Sequence, residues 1–175
     1  MTYLKHISLA FALLVFSVMI STDAQDYTTA MKVRYIKSFT KYVEWPSSYK
    51  SGDFVIGVLN DKKIADALTI KLKDRNIGLQ PYKVVNFAST GDISQCHLLY
   101  IPTKQSSSLA GAVGKVASWS TLIISDSPGL IEKGSSINLV MQGPKQVFEL
   151  NKKTMSKYSL TVSAQLEPMA SRVIN

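Results

Sequence analysis

The sequence predicts a single three-layer α/β domain with a mixed, partly parallel sheet flanked by helices. Apolar, strand-like runs alternate with helical segments in the earlier part of the chain, which is typical of parallel sheets. Two later strand-like runs flank a short turn and predict an antiparallel hairpin. The residues are 46% hydrophobic and 18% charged, and no change in composition marks a linker between domains.

The N-terminus has the pattern of a secretory signal peptide. Lys5 and His6 precede an apolar run over residues 7–20, and small and polar residues continue to Ala24. The run is shorter than the roughly 20 residues that a membrane-spanning helix needs. We therefore expect a signal peptide over residues 1–24, cleaved after Ala24, and one exported domain over residues 25–175. An uncleaved signal anchor is the alternative.

The domain is predicted to begin with an amphipathic helix from Asp26 to Trp45, because apolar residues recur there at spacings of three and four. Pro46 disfavours helical geometry in the residue before it and ends the helix. The continuous apolar run Phe54–Leu59 predicts a strand buried on both faces. A second helix follows, capped by Asn60-Asp61 and ended by Asn76–Gly78.

The remaining elements follow from the same patterns. The predicted strands are Tyr82–Phe87, Cys96–Ile101, Leu122–Ser125 and a brief one over Leu160–Val162. The predicted hairpin joins Ile137–Met141 to Gln146–Leu150 through a Gly-Pro turn. The predicted helices are Ser107–Ser118, Asn151–Tyr158 and Ala164–Val173, the last of them interrupted or started by Pro168.

The charge balance indicates acidic partners. The formal net charge is +8, and the basic residues are scattered apart from two clusters, Lys32–Lys41 and Lys71–Arg75. An exported basic protein meets acidic partner domains and anionic lipid headgroups rather than nucleic acid. We therefore expect no nucleic-acid partner.

The chain offers few residues for chemistry. Cys96 is its single cysteine, so no internal disulfide forms, and its apolar surroundings favour a buried, packed side chain over a redox role. His97 is adjacent to it, and neighbouring side chains on a strand point to opposite faces. No nucleophile elbow, phosphate loop or zinc spacing occurs. We expect no enzyme activity, cofactor or metal; His97 and Asp126 are the only catalytic candidates.

Two sets of residues are candidates for binding. The aromatic side chains of the first helix and its exit form either the core stripe of the helix or an exposed interface; they are Tyr35, Phe39, Tyr42 and Trp45, next to Pro46. Asp126 follows a predicted central strand, where ligands bind in open α/β sheets. The candidate ligand-binding residues are Ser125, Asp126 and Gly129, although Ser125–Gly129 is also good turn chemistry.

Several segments, in order, resemble the YfiR-like family of exported proteins. The first is YIKSFTKYVEWP (residues 35–46), with a Phe followed by Val-x-Trp-Pro. The others are FVIGVL (54–59), CHLLYI (96–101), SDSPG (125–129), and INLV (137–140) continuing to FELN (148–151). The resemblance covers the chain from about residue 30 to its end, and it implies an α/β domain similar to a ligand-binding or receiver-like lobe.

The resemblance also implies a function. The best-known members of that family are periplasmic repressors that dimerise and hold an inner-membrane diguanylate cyclase inactive by binding its periplasmic domain. With Cys96 alone, this chain lacks the cysteines for disulfide-controlled switching. The resemblance therefore implies a non-catalytic periplasmic regulator of a diguanylate cyclase or another membrane receptor. The alternative is a periplasmic small-molecule sensor or carrier.

Overall fold

The computed structural model describes residues 28–175 and confirms the predicted α/β fold, a mixed sheet flanked by helices. The predicted signal peptide and the first residues of the predicted domain lie outside the described residues. Helix α1 covers residues 28–42 of the described chain. The other helices are α2 (Lys62–Leu72), α3 (Leu109–Lys115) and α4 (Lys152–Lys157).

One eight-stranded sheet runs through the domain. Its strands are β2 (Phe54–Leu59), β3 (Asn76–Ile77), β4 (Gln80–Phe87), β5 (Leu98–Ile101), β6 (Leu122–Ser125), β7 (Ile137–Gln142), β8 (Lys145–Asn151) and β10 (Arg172–Ile174). Their order across the sheet is β10-β8-β7-β6-β5-β2-β4-β3. Strands β4, β2, β5, β6 and β7 are mutually parallel, and the β7–β8 hairpin is antiparallel. Strands β1 (Val43–Glu44) and β9 (Thr161–Val162) form a separate antiparallel ribbon.

The centre of the sheet is covered on both faces. Every residue of β5 and β6 is buried, whichever way its side chain points, as expected for parallel strands that carry helices on both sides. The crossovers from β2 to β4 and from β5 to β6 run in opposite directions across the sheet. Because such crossovers are right-handed, α2 and α3 lie on opposite faces.

Helix α1 lies on the same face as α2, since side chains of both helices line one groove. The aromatic ring of Phe39 in α1 packs edge-on against that of Phe148 in β8, 5.1 Å between centroids. The end of α1 is fixed by the β1–β9 ribbon and by the amide of Ser163, which donates to the carbonyl of Tyr42. These contacts position the helix that carries most of the candidate residues.

The predicted C-terminal helix over Ala164–Val173 is wrong. A single 3-10 turn, Glu167–Met169, is followed by β10, which pairs in parallel with β8. Proline at the second position of that turn permits a helical start, but the chain leaves helical geometry at Ala170. Pairing with an open sheet edge then decides the conformation of the last residues.

Other predicted boundaries move by a few residues. Helix α1 ends at residue 42 instead of Trp45, because Val43 and Glu44 pair with β9. Helix α2 ends at Leu72, and Asn76–Ile77 turns back against β4 as a short strand. The helix predicted over Ser107–Ser118 is a 3-10 segment, Thr103–Ser108, followed by α3.

Candidate functional site

Helix α1 turns a narrow crest to the outside and buries the opposite side. Its buried residues include Val33, Ile36 and Phe39, all 4% exposed or less. The crest follows spacings of three and four along the helix and consists of Met31, Arg34, Ser38 and Tyr42. Because these four residues line a cavity on each side of the helix, α1 stands between two grooves.

The first of these, the aromatic groove, has a volume of about 410 Å³. Besides the crest it is lined by Tyr35, Phe39, Phe148, Leu166 and Met169. The side chain of Met169 is 61% exposed at its edge. Tyr35 and Tyr42 are half-buried, so each offers part of its ring to this groove.

Tyr35 is held in place by contacts on both sides. Its hydroxyl donates to the carbonyl oxygen of Gln146 at 2.8 Å, and its ring stacks on Phe39 with 5.8 Å between centroids. Phe39 is only 1% exposed and is part of the core. The aromatic groove therefore has a rigid wall, which reduces the entropy lost when a partner binds.

Trp45 lies in the core instead of on the surface. It is 6% exposed, and its indole N–H donates to the carbonyl oxygen of His97 at 3.0 Å. Its ring meets the edge of Phe54, with 4.9 Å between centroids. Pro46 is half-buried and precedes the 3-10 turn Ser47–Tyr49. Of the aromatic residues predicted to form an interface, only Tyr35 and Tyr42 reach the surface.

His97 joins three segments through both ring nitrogens. Its Nδ1 accepts the amide of Val55 at 3.0 Å, so the ring proton is on Nε2, which donates to the carbonyl of Tyr49 at 2.8 Å. Burial lowers the pKa of His97, and the Tyr49 carbonyl only partly opposes this. The ring also stacks on Phe54, 4.4 Å between centroids. These contacts give His97 a structural role in its neutral form.

Cys96 is buried beside it and has no disulfide partner. Burial raises the pKa of its thiol to about 12. Reaction with oxidants and metals requires the thiolate, so this thiol is inert at neutral pH while the domain is folded. The predicted strand that contains both residues begins two positions later, at Leu98.

The three candidate ligand-binding residues occupy different environments at the end of β6. Ser125 is fully buried, and its hydroxyl makes short hydrogen bonds with Ser135 (2.6 Å) and the side chain of Asn138 (2.7 Å). Gly129 adopts a left-handed conformation, φ +76°, in the turn that follows. Asp126 lies between them, and its side chain is 2% exposed.

The carboxylate of Asp126 is fully engaged within the protein. Oδ2 accepts the hydroxyl of Tyr100 at 2.6 Å and forms an ion pair with Lys32 of α1. Oδ1 accepts the hydroxyl of Thr103 at 2.9 Å. Burial and the Asp126 charge both raise the pKa of Tyr100, so the phenol stays protonated and remains a donor. These contacts tie α1 to the ends of β5 and β6.

A neighbouring hydroxyl, which the sequence did not single out, has no partner. Ser127 is 7% exposed, and its Oγ is buried without a hydrogen bond within the described chain. The residue lines a cavity of about 380 Å³ together with Ser106, Ser107 and Lys133. The only feature of the sequence that pointed to Ser127 was its position inside the predicted ligand-binding loop.

The second groove beside α1, the basic groove, has a volume of about 880 Å³ and runs between α1 and α2. It is lined by Ala30, Met31, Val33, Arg34, Lys37, Ser38, Lys41, Tyr42, Ala67, Ile70 and Lys71. The two basic clusters noted in the sequence thus face each other. Sequence patterns could not show this, because it depends on how the helices pack.

Neither a membrane span nor a metal centre is evident between residues 28 and 175. No helix in this range is long and apolar enough to cross a bilayer. The same range contains no group of three or more His, Cys, Asp or Glu side chains placed to hold a metal ion.

Comparison with known proteins identifies the family. A model of YfiR/HmsC-like proteins matches residues 29–171, which is nearly all of the described chain. The chain belongs to the YfiR/HmsC-like family. This confirms the family that the sequence resemblance indicated. A search of curated proteins finds no match.

Two solved structures are similar to this member of the YfiR/HmsC-like family in fold. One is a conserved domain protein from Vibrio cholerae O1 biovar El Tor, with TM-score 0.59 and 11% identity over 83% of this chain. The other is an ABC domain in complex with L-Trp from Streptococcus pneumonia, with TM-score 0.54 and 15% identity over 81%. The chain spans 60% and 59% of those two proteins. At such identities the likeness concerns the fold alone.

Proposed function

We propose that this protein is a periplasmic regulator that binds and restrains the extracytoplasmic sensor domain of a membrane signalling protein, such as a diguanylate cyclase. In this proposal residues 1–24 are removed on export, and the remaining domain acts without catalysis. The observation that carries the proposal is the crest of α1, which stands between two open grooves on a rigid face. Membership of the YfiR/HmsC-like family supports it.

The aromatic groove has the composition of an interface hot spot. Tyrosine provides a large contact area with little loss of conformational entropy, and methionine adapts its shape to a partner. Tyr35, Tyr42 and Met169 supply both residue types around one concave surface. Phe39 is a core residue that stacks on Tyr35 and supports this surface from within. In this proposal Trp45 and Pro46 act indirectly, by fixing the chain where it leaves the helix.

The test is capture of the tagged, exported protein from its native envelope after crosslinking, followed by mass spectrometry. Met169→Glu places a charge in the aromatic groove at a side chain that is 61% exposed, so the fold tolerates the change. We expect wild type to recover one membrane signalling protein and Met169→Glu to lose it, because an unpaired charge in an apolar contact is costly to desolvate.

The matched control is Ala117→Glu, which adds the same charge at an exposed position after α3, on the other face of the sheet. It should recover the same protein as wild type. Equal recovery by wild type and Met169→Glu, with both folded, would remove the aromatic groove from the interface.

A second candidate function, a small-molecule sensor or carrier, is favoured by the unpartnered hydroxyl of Ser127. A buried hydroxyl without a partner costs about 1–3 kcal/mol, and a ligand in the adjacent cavity of about 380 Å³ could supply the missing hydrogen bond after a small rotation of the side chain. In this proposal Ser125, Asp126 and Gly129 shape the loop, and Ser127 makes the contact.

Ser127→Ala tests whether this hydroxyl contacts a ligand or is only an unsatisfied polar group of the fold. The variant without ligand should melt at the same or a higher temperature than wild type, because it removes an unsatisfied polar group. Metabolites are screened by thermal shift. A metabolite that binds in the cavity should raise the melting temperature of wild type and not that of Ser127→Ala. If no metabolite stabilises wild type, or if one stabilises both proteins equally, the cavity is not a ligand site.

A further inference from the structure

The basic groove combines an apolar floor with two positively charged walls. Its apolar lining includes the buried Val33 and the half-buried Ala67, which form part of the floor. Ile70 stands at its edge with 78% of its surface exposed, whereas the other large apolar residues of α2 are at most 4% exposed. Ile70 therefore adds an exposed apolar side chain to the rim of the groove.

The basic residues of the groove are arranged in lines. Arg34, Lys37 and Lys41 follow one another at spacings of three and four along α1, which places them on one side of the helix. Lys71 faces them from α2. The pKa of Lys37 is lowered, first by partial burial and then by the nearby charges of Arg75, Lys41 and Lys71. These cations repel one another, so a negatively charged partner would relieve an existing strain.

Within the described part of the chain, these cations have no carboxylate partner. No acidic side chain lines the groove, and none of its basic residues forms an ion pair there. Most carboxylates are paired elsewhere, in the contacts Lys32–Asp126, Lys62–Asp66, Lys83–Asp53, Lys104–Asp61, Lys152–Glu167 and Arg172 with Glu132 and Glu149. Among residues 28–175, the positive charge of the groove is therefore not neutralised by a lining carboxylate.

We propose that the basic groove binds an acidic amphipathic helix of the membrane signalling partner. This inference rests on the proposed function and names the chemistry of the segment that is recognised. The apolar face of such a helix would cover Ile70 and the floor, and its carboxylates would meet Arg34, Lys37, Lys41 and Lys71 on the two walls. The shape favours a helix over a lipid surface, because a flat bilayer cannot follow a concave floor between two helices.

A synthetic amphipathic helix of Leu and Glu, labelled for fluorescence anisotropy, tests the chemistry directly. We expect it to bind wild type, and we expect Lys37→Glu/Lys71→Glu to weaken binding by at least about tenfold. Binding should also weaken as salt rises. The same helix with Lys in place of Glu should not bind.

The matched control is Lys115→Glu/Lys153→Glu, which makes the same change in net charge at two exposed lysines outside the groove. It should bind the Leu–Glu helix as wild type does. Equal weakening by both double variants would mean that net charge alone is responsible, and this would overturn the proposal. So would tight binding to phosphatidylglycerol-containing vesicles together with no binding of the helix.

Capture from the native envelope then distinguishes this inference from the proposed function. If wild type recovers the signalling protein and Lys37→Glu/Lys71→Glu recovers it equally, the inference fails while the proposed function stands. If wild type recovers no membrane signalling protein, the proposed function fails, and the Leu–Glu helix alone decides what the groove binds. Support requires loss of recovery by Lys37→Glu/Lys71→Glu and not by Lys115→Glu/Lys153→Glu, with a crosslink from position 70 to an acidic helical segment of the partner.

Discussion

His97 shows how a single buried side chain can link several segments. Its ring connects the amide of Val55 to the carbonyl of Tyr49, and its own carbonyl accepts the indole N–H of Trp45. The arrangement requires the neutral ring, because a proton on Nδ1 would face the Val55 N–H. The sequence placed His97 in a buried apolar segment, but it could not reveal these partners, which are distant along the chain.

The charge state of His97 predicts how stability depends on pH. Its pKa in the folded state is lowered by burial, so the unfolded chain binds a proton at higher pH than the folded domain. Stability is therefore full above the ordinary value of about 6.5 and falls as the pH drops below it, toward the folded pKa. Melting temperatures measured between about pH 7.5 and pH 5.5 should decrease for wild type.

His97→Asn is the control, because its amide oxygen can still accept from Val55 and the side chain does not titrate. Whatever the absolute stability of the variant, its melting temperature should change less over the same pH range. Parallel decreases in the two proteins would show that another group is responsible.

At the scale of an element, strand β2 depends on the glycine at its centre. A Cβ added to Gly57 would lie 2.5 Å from Cε2 of Phe87 and 3.2 Å from Cδ1 of Leu99. Gly57→Ala should therefore destabilise the domain by about 1–3 kcal/mol, because the ring of Phe87 must move within a packed core. Chemical denaturation measures this loss.

Gly114→Ala serves as the comparison for Gly57→Ala. Gly114 lies in helix α3, and no described heavy atom outside its own turn lies within 4 Å of an added Cβ. Alanine should be neutral there or stabilise the helix by up to about 1 kcal/mol. If the two substitutions change the stability equally, close packing around β2 is not the reason why position 57 is a glycine.

The elements that the sequence predicted well are those whose local pattern and tertiary environment agree. The apolar run Phe54–Leu59 forms β2 as predicted, and Asp61 caps α2 by accepting the amide of Ile64. The helix predicted for the C-terminal segment was wrong because local pattern and tertiary environment disagree there. Its Ala, Leu, Glu and Met favour a helix, but Arg172–Ile174 pairs with β8, an interaction that no local pattern can show.

At the scale of the whole molecule, the fold class and the family could be predicted from the sequence, whereas the binding surfaces could be predicted only in part. Helical periodicity grouped Tyr35, Phe39, Tyr42 and Trp45, but it could not show that Phe39 and Trp45 face the core. The two basic clusters were visible as separate segments. Only the packing of α1 against α2 turns them into one groove.

The most direct test of docking through α1 is photocrosslinking from its crest in the living cell envelope. A photoreactive amino acid replaces Ser38, which is half-buried between the two grooves, and in a control strain it replaces Ala117 on the opposite face of the sheet. We expect a light-dependent adduct with the extracytoplasmic domain of one membrane signalling protein from position 38 and none from position 117. No adduct from position 38, or equal adducts from both positions, would show that the protein does not dock through α1.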